Sequence, residues 1–250
     1  GASSSPAARA ETESDSARLA ALEELAATDP LAFLRHCRRR YERNVRDYRC
    51  RFHKRERRGG VLPPEEEMQI LFREEPYSVD MRWVRNPGMA RRVNYVAGRW
   101  VKNGKELMLV QPAGWIGLLV PNGVKRDIHG PQARRAARST IDRFGFKHTL
   151  DTIIACCERS AGDAGYDLRY VGPASFDGRP TLMLERRLPY TGPDGPYPDR
   201  LLVMHIDQEW LVPVACYGYA DDLKQVLTGS YLTTSVEMNV GLDDDDFATP

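Results

Sequence analysis

Tyr48-Arg49-Cys50-Arg51-Phe52-His53 sets an aromatic ring or a thiol at every second position and a basic group between. A period of two is that of a β-strand with one apolar and one charged face. Outward along the chain the same period returns in Met68-Gln69-Ile70-Leu71-Phe72-Arg73 and in Tyr77-Ser78-Val79-Asp80-Met81-Arg82-Trp83. Turn-forming stretches separate these runs: Arg58-Gly59-Gly60, Glu74-Glu75-Pro76 and Asn86-Pro87-Gly88. Val93 and Tyr95 continue the pattern, and Asn103-Gly104 is a hairpin signal ahead of Leu107-Met108-Leu109-Val110. Connections this short leave no room for crossover helices, so the strands are predicted to form an antiparallel meander.

A second run of strands follows Gly165. It includes Leu168 and Tyr170, the turn Asp177-Gly178, Thr181 to Glu185, Leu201 to Ile206, Leu211 to Tyr219 and Tyr231 to Val240. Helical periods occur elsewhere. Residues 16–45 read as two helices broken at Asp29-Pro30, and residues 149–161 as a third with Leu150, Ile153, Ile154 and Cys157 on one face. The middle of the chain, 112–165, carries Trp115, Leu118, Leu119, Phe144 and Phe146, too much apolar surface to leave in water. The expected architecture is therefore α+β: a large curved antiparallel sheet of about ten strands, with helices from the start and middle covering its inner face as a lid. Residues 16–250 are expected to form one domain with the lid inserted around 112–165, and residues 1–15 a flexible tether.

Composition narrows the classes. The chain has 250 residues, 42% hydrophobic and 28% charged, enough for a sizeable core. No stretch approaches the ~20 apolar residues of a membrane-spanning helix. A formal net charge of +1 removes the global positive field of a protein that coats nucleic acid. The opening Gly1-Ala2-Ser3-Ser4-Ser5-Pro6 has no initiator Met and no apolar run. It fits either a disordered cytosolic start or the stretch after a secretion or lipoprotein cleavage site. Five cysteines show no metal-binding spacing; Cys156 and Cys157 read as small buried hydrophobes, while a Cys50–Cys216 bridge is open if their strands are close.

Three stretches also carry a family likeness: Tyr48-x-Cys50-x-Phe52; Met68-x-Ile70-x-Phe72-Arg73-x-x-Pro76-x-Ser78-Val79-x-Met81-x-Trp83 with Tyr95-Val96-x-Gly98; and Gly241-Leu242-x-Asp244-x-Asp246-Phe247. Over most of residues 30–248 the chain resembles the bacterial domain of unknown function 1571 family, similar in pattern to the LolA/LolB lipoprotein carriers. That resemblance implies an unclosed half-barrel with a helical lid over a hydrophobic cavity. It also implies an exported, periplasmic or cell-envelope location, its signal or lipoprotein segment lying outside this chain. The basic stretch between Gly123 and Lys147 departs from a minimal carrier.

An apolar cavity suits acyl chains, since each buried methylene contributes ~0.8 kcal/mol and one long chain about 10 kcal/mol before entropy. The candidate lining is Phe52, Met68, Ile70, Phe72, Val79, Met81, Trp83, Tyr95 and Leu109 on the sheet, with Trp115, Leu118, Leu119, Ile153 and Ile154 on the lid. The alternative is that these side chains simply fill the interior. Catalysis has little support: His36, His53, His129, His148 and His205 are scattered, and no metal, cofactor or nucleophile motif is present. The leading expectation is a non-enzymatic envelope protein, a carrier or sensor, holding a lipid or a lipoprotein acyl chain. An envelope protein partner and peripheral membrane contact accompany it, without nucleic acid. The other is a solid-cored interaction module. It would use its basic surface, Arg38, Arg39 and Arg40, to bind an acidic protein, a polysaccharide or an anionic membrane.

Overall fold

The computed structural model describes residues 6–249. Two helices come first, α1 (Pro6–Thr28) and α2 (Pro30–Asn44). Residues 1–5 of the expected tether lie outside the described residues, and from Pro6 onward that stretch is helical. Asp29 caps α2 by accepting from the Ala32 amide at 2.8 Å, and Pro30 supplies the fixed φ of a first helical residue.

Six strands follow: β1 (Asp47–Glu56), β2 (Glu66–Arg73), β3 (Ser78–Arg85), β4 (Ala90–Val96), β5 (Val101–Lys102) and β6 (Lys105–Pro112). The middle holds α3 (Gly114–Leu119), β7 (Val124–Asp127), α4 (Pro131–Ala136), a single 3-10 turn at Ile141–Arg143 and α5 (Phe146–Ser160). The second run is β8 (Asp167–Phe176), β9 (Arg179–Arg187), β10 (Leu201–Asp207), β11 (Pro213–Tyr219) and β12 (Leu227–Met238). All strand pairings are antiparallel, in the order β5-β6-β4-β3-β2-β1-β12-β11-β10-β9-β8, with β7 added against β6. Twelve strands thus make one sheet rather than the ten expected, and it does not close. The junction is β1, which pairs with β2 on one side and β12 on the other. Asn103 and Gly104, and again Asp177 and Gly178, have positive φ, as tight two-residue hairpins require.

One face of the sheet carries two apolar clusters. Leu22, Phe33, Leu34 and Cys37 from α1 and α2 meet Leu150 and Cys157 of α5 and Leu182, Leu184 and Met204 of β9 and β10. Beside this, Tyr41, Tyr48, Ile70, Phe72, Val79, Tyr95 and Phe146 form an aromatic-rich core. Tyr48 stacks on Phe72 with centroids 4.7 Å apart and meets Phe146 at 4.9 Å. Gly145, at φ 106°, starts α5 here: a Cβ would sit 3.0 to 3.1 Å from the Phe72 ring and the Tyr48 hydroxyl, so only glycine lets the helix come down on these rings.

The opposite face is tied down by the chain's end. Phe247 is fully buried with the Arg73 guanidinium 5.0 Å from its ring centroid, and Arg73 bonds Asp244 at 2.7 Å. Asp80 accepts from Arg92 Nε at 2.7 Å and Asn94 Nδ2 at 2.9 Å, while Arg99 donates to the Phe247 carbonyl at 2.7 Å. The chain's end is thus docked through Phe247, while Asp243 to Asp246 stay exposed. All five cysteines are buried and free, so Cys50 and Cys216 are not bridged.

Candidate functional site

Strand β1 sends Tyr48, Cys50, Phe52, Lys54 and Glu56 to one face, and all five border a cavity of about 380 Å³. The cavity runs across nine consecutive strands, from Met108 on β6 to Arg186 on β9. Met68, Met81, Trp83 and Val93 give it an apolar floor. Over the floor lie Ala133 and Ala136 of α4, Ile141, Phe144, Phe146, and Thr149 and Ile153 of α5. The volume falls in the range of roughly 300–1,000 Å³ typical of small-molecule sites.

One end is polar, for a reason the strand register explains. Glu56 pairs with Gly229, Gly229 with Gly218, Gly218 with Leu202 and Leu202 with Arg186. Two glycines in the middle of this row leave space where side chains would stand. At Gly218 a Cβ would crowd Thr228 Oγ1 at 2.8 Å and Asp199 Oδ2 at 3.3 Å, so glycine admits Asp199 to the sheet surface. There Asp199 accepts two hydrogen bonds from Arg186, at 2.9 and 3.2 Å. Burial opposes the Arg186 charge, but the Asp199 carboxylate outweighs it and raises the arginine pKa. At the other end of the row Tyr231 donates to Glu56 at 2.9 Å, and Arg58 is bonded to the same carboxylate. Burial would raise the Glu56 pKa; Lys54, Arg58 and Tyr231 together hold it below the usual value. Arg138 spans this end by donating to the carbonyls of Thr228 at 2.9 Å and Arg57 at 3.3 Å.

Of the residues expected to line a cavity, Phe52, Met68, Met81, Trp83 and Ile153 border this one. Ile70, Phe72, Val79 and Tyr95 instead belong to the packed aromatic core. Ile154, one residue round the helix from Ile153, packs into the cluster with α1 and α2. Leu109 faces the other side of the sheet: it pairs with Asn94, and its Cδ1 lies under Gly123, so Met108 faces the cavity in its place. Trp115, Leu118 and Leu119 are not over the sheet at all, being 71%, 82% and 70% exposed on α3. The residues of the middle stretch that border the cavity, from Ala133 to Cys156, lie further along the chain. Lys54 and Glu56 were missed because their charge masks the alternation begun at Tyr48, although their parity is the same.

Of the expected basic surface, Arg38 is engaged in ion pairs with Asp151 at 2.5 Å and Glu42 at 3.1 Å, Arg40 donates to the Glu209 backbone carbonyl at 3.1 Å, and Arg39 is exposed. Among the described residues no group of three His, Cys, Asp or Glu side chains could hold a metal ion. Burial pushes the Cys216 thiol up to about 12 and the Cys50 thiol higher, so both stay protonated and unreactive near neutrality. What the cavity offers is a long trough with an apolar floor and a buried cluster of hydrogen-bonding groups along the Glu56–Arg186 row.

An unclosed antiparallel half-barrel with an interior trough is thus the class of molecule these residues build. Residues 45–250 match the family described as Protein of unknown function (DUF1571), and the chain belongs to that family. No curated protein matches it. Similar solved structures include the Pseudomonas aeruginosa MucA/MucB complex, at 16% identity, 85% of this chain, 59% of that chain and TM-score 0.45. This chain therefore spans less than two thirds of that one. Mycobacterium tuberculosis lipoprotein LppX is similar at 11% identity, 86% and 99% coverage and TM-score 0.42. The LolA superfamily protein NE2245 from Nitrosomonas europaea is similar at 12% identity, 86% and 97% coverage and TM-score 0.35. None of the helices among the described residues is long and apolar enough to cross a membrane.

Proposed function

We propose that this protein is a non-enzymatic carrier or sensor of the bacterial cell envelope that shelters the acyl chain of a lipid or lipoprotein in its trough. The observation that carries the reading is the shape and chemistry of the cavity. It is long, floored by methionines, Trp83 and Phe52, and bears a buried polar cluster along the Glu56–Arg186 row. An amphiphile matches such a site, with methylenes along the floor and a carbonyl or hydroxyl at the polar end. Arg186 Nε has no hydrogen-bond partner among the described residues, and an oxygen acceptor on the ligand would satisfy it. Each methylene withdrawn from water adds ~0.8 kcal/mol, so a chain of modest length suffices for stable retention. An envelope protein that delivers or receives the cargo is the accompanying partner.

The test is native purification followed by organic extraction and lipid mass spectrometry, with displacement of a fluorescent fatty acid as a second readout. Acyl lipid recovered in near-stoichiometric amount is the expected result. Repeated absence of lipid, together with no uptake of the fluorescent fatty acid, would overturn the proposal.

A further inference from the structure

Helix α3 holds its apolar side chains away from the protein. Its buried residue is Gly117, where a Cβ would stand 2.3 Å from the Pro112 carbonyl oxygen, so the helix rests on the end of β6 through a glycine. At about 100° per residue, Trp115, Ile116, Leu118 and Leu119 occupy the arc opposite Gly117. They are 71%, 48%, 82% and 70% exposed. An amphipathic helix of a globular protein turns its apolar arc inward; here the arc faces out, which is costly unless another apolar phase receives it.

Other loops at the same end of the sheet share this character. Antiparallel register gathers the end of β1, the start of β2, the end of β3, the start of β4, the end of β6 and the start of β12 on one rim. Val61, Met89, Leu223 and Val226 are exposed on loops of that rim, and the Ala113 amide ties α3 to the Met89 carbonyl at 3.0 Å. Glu56, which lines the polar part of the trough, stands at the end of β1 beside this rim. Charge identifies the occupant. From Gln111 to Thr140 the chain carries Lys125, Arg126, Arg134, Arg135 and Arg138 against one acid, Asp127, already bonded to Lys105 at 3.1 Å.

We infer that this rim docks on a bilayer bearing anionic headgroups, α3 seating Trp115 and its leucines at the level of the acyl chains while the basic side chains meet lipid phosphates. A tryptophan among exposed aliphatics, followed in the chain by a basic stretch, is what a membrane interface accepts. Docking there goes beyond the cargo reading: it concerns a surface, not the trough, and the two can fail separately.

The test is flotation of the full chain with vesicles of phosphatidylglycerol and phosphatidylethanolamine, and with phosphatidylcholine alone. Binding to the anionic vesicles is expected, weakened by salt and at least about tenfold weaker on phosphatidylcholine. The variant carrying Trp115→Ser, Leu118→Ser and Leu119→Ser should keep the wild-type melting temperature and lipid content, since those side chains touch little of the protein. It should bind anionic vesicles at least about tenfold less. Undiminished binding by this variant would overturn the inference, as would failure of the wild type to float with anionic vesicles. So would a wild-type dimer, silent towards vesicles, that the variant converts to monomer. Absence of lipid from the wild-type protein, with its vesicle binding intact and lost in the variant, would instead count against the cargo proposal alone.

Discussion

Arg186 Nη2 donates to both carboxylate oxygens of Asp199, at 2.9 and 3.2 Å, with side chains only 2% and 7% exposed. The pair closes the polar end of the trough, and neither charge can be removed without stranding the other away from water. Arg186→Met is therefore expected to destabilise by about 3–5 kcal/mol, because it leaves Asp199 ionised and unpaired. Adding Asp199→Asn should recover most of that loss. Urea denaturation of both singles and the double gives the coupling directly. A double variant whose destabilisation equals the sum of the two singles would show that the two charges are not energetically linked.

Thr149 faces the trough from α5, and its hydroxyl bonds only the Gly145 carbonyl one turn back, at 3.0 Å. That bond duplicates what the helix backbone already provides, so the side chain is expendable for folding. Thr149→Phe should fill part of the trough, lower the amount of copurified lipid and leave the melting temperature unchanged or slightly raised. Lipid mass spectrometry alongside a thermal melt distinguishes this from misfolding. An unchanged lipid content would mean that the cargo does not lie beneath α5.

The strands were legible because β1 and most of β2 and β3 alternate apolar with polar residues, and the turns because Asn103-Gly104 and Asp177-Gly178 demand positive φ. The side chosen by each residue was not always legible. Leu107-Met108-Leu109-Val110 has no alternation to follow, so only pairing with Asn94 turns Leu109 outward and Met108 in. Trp115 and its neighbours have a composition that suits burial; what turns them out is the single close approach of Gly117 to Pro112, a tertiary fact. Lys54 and Glu56 keep the parity of Tyr48 but carry charges tolerable there only through Glu66, Arg58 and Tyr231, residues brought in by other segments.

These placements separate two aromatic residues that look alike in the sequence. Phe72 is 1% exposed and packed between Tyr48, Tyr77 and Phe144, so Phe72→Ala should cost about 3–5 kcal/mol. Trp115→Ala should stay within about 0.5 kcal/mol of wild type. Denaturant midpoints for the two variants decide the matter, and a large loss from Trp115→Ala would place α3 against the sheet after all.

Acid should release the polar end of the trough before it disturbs the aromatic core. Burial raises the affinity of Glu56 for a proton, yet Lys54, Arg58 and Tyr231 outweigh it and hold its pKa below the usual carboxylate value of about 4.3. Between the folded and unfolded values the unfolded chain binds the proton and the native protein does not. The contribution of Glu56 to stability is therefore present above the unfolded pKa and lost as pH falls through the folded one. Glu74 has the opposite sign: burial, only partly offset by the hydrogen bond from Tyr41, holds its pKa up, so its contribution is lost as pH rises through its folded value. Glu56→Gln should accordingly be less stable than wild type at pH 7 and lose less on acidification below about pH 4.5. Denaturation midpoints measured across that range test it. Parallel losses in variant and wild type would show that the Glu56 carboxylate does not set the acid response.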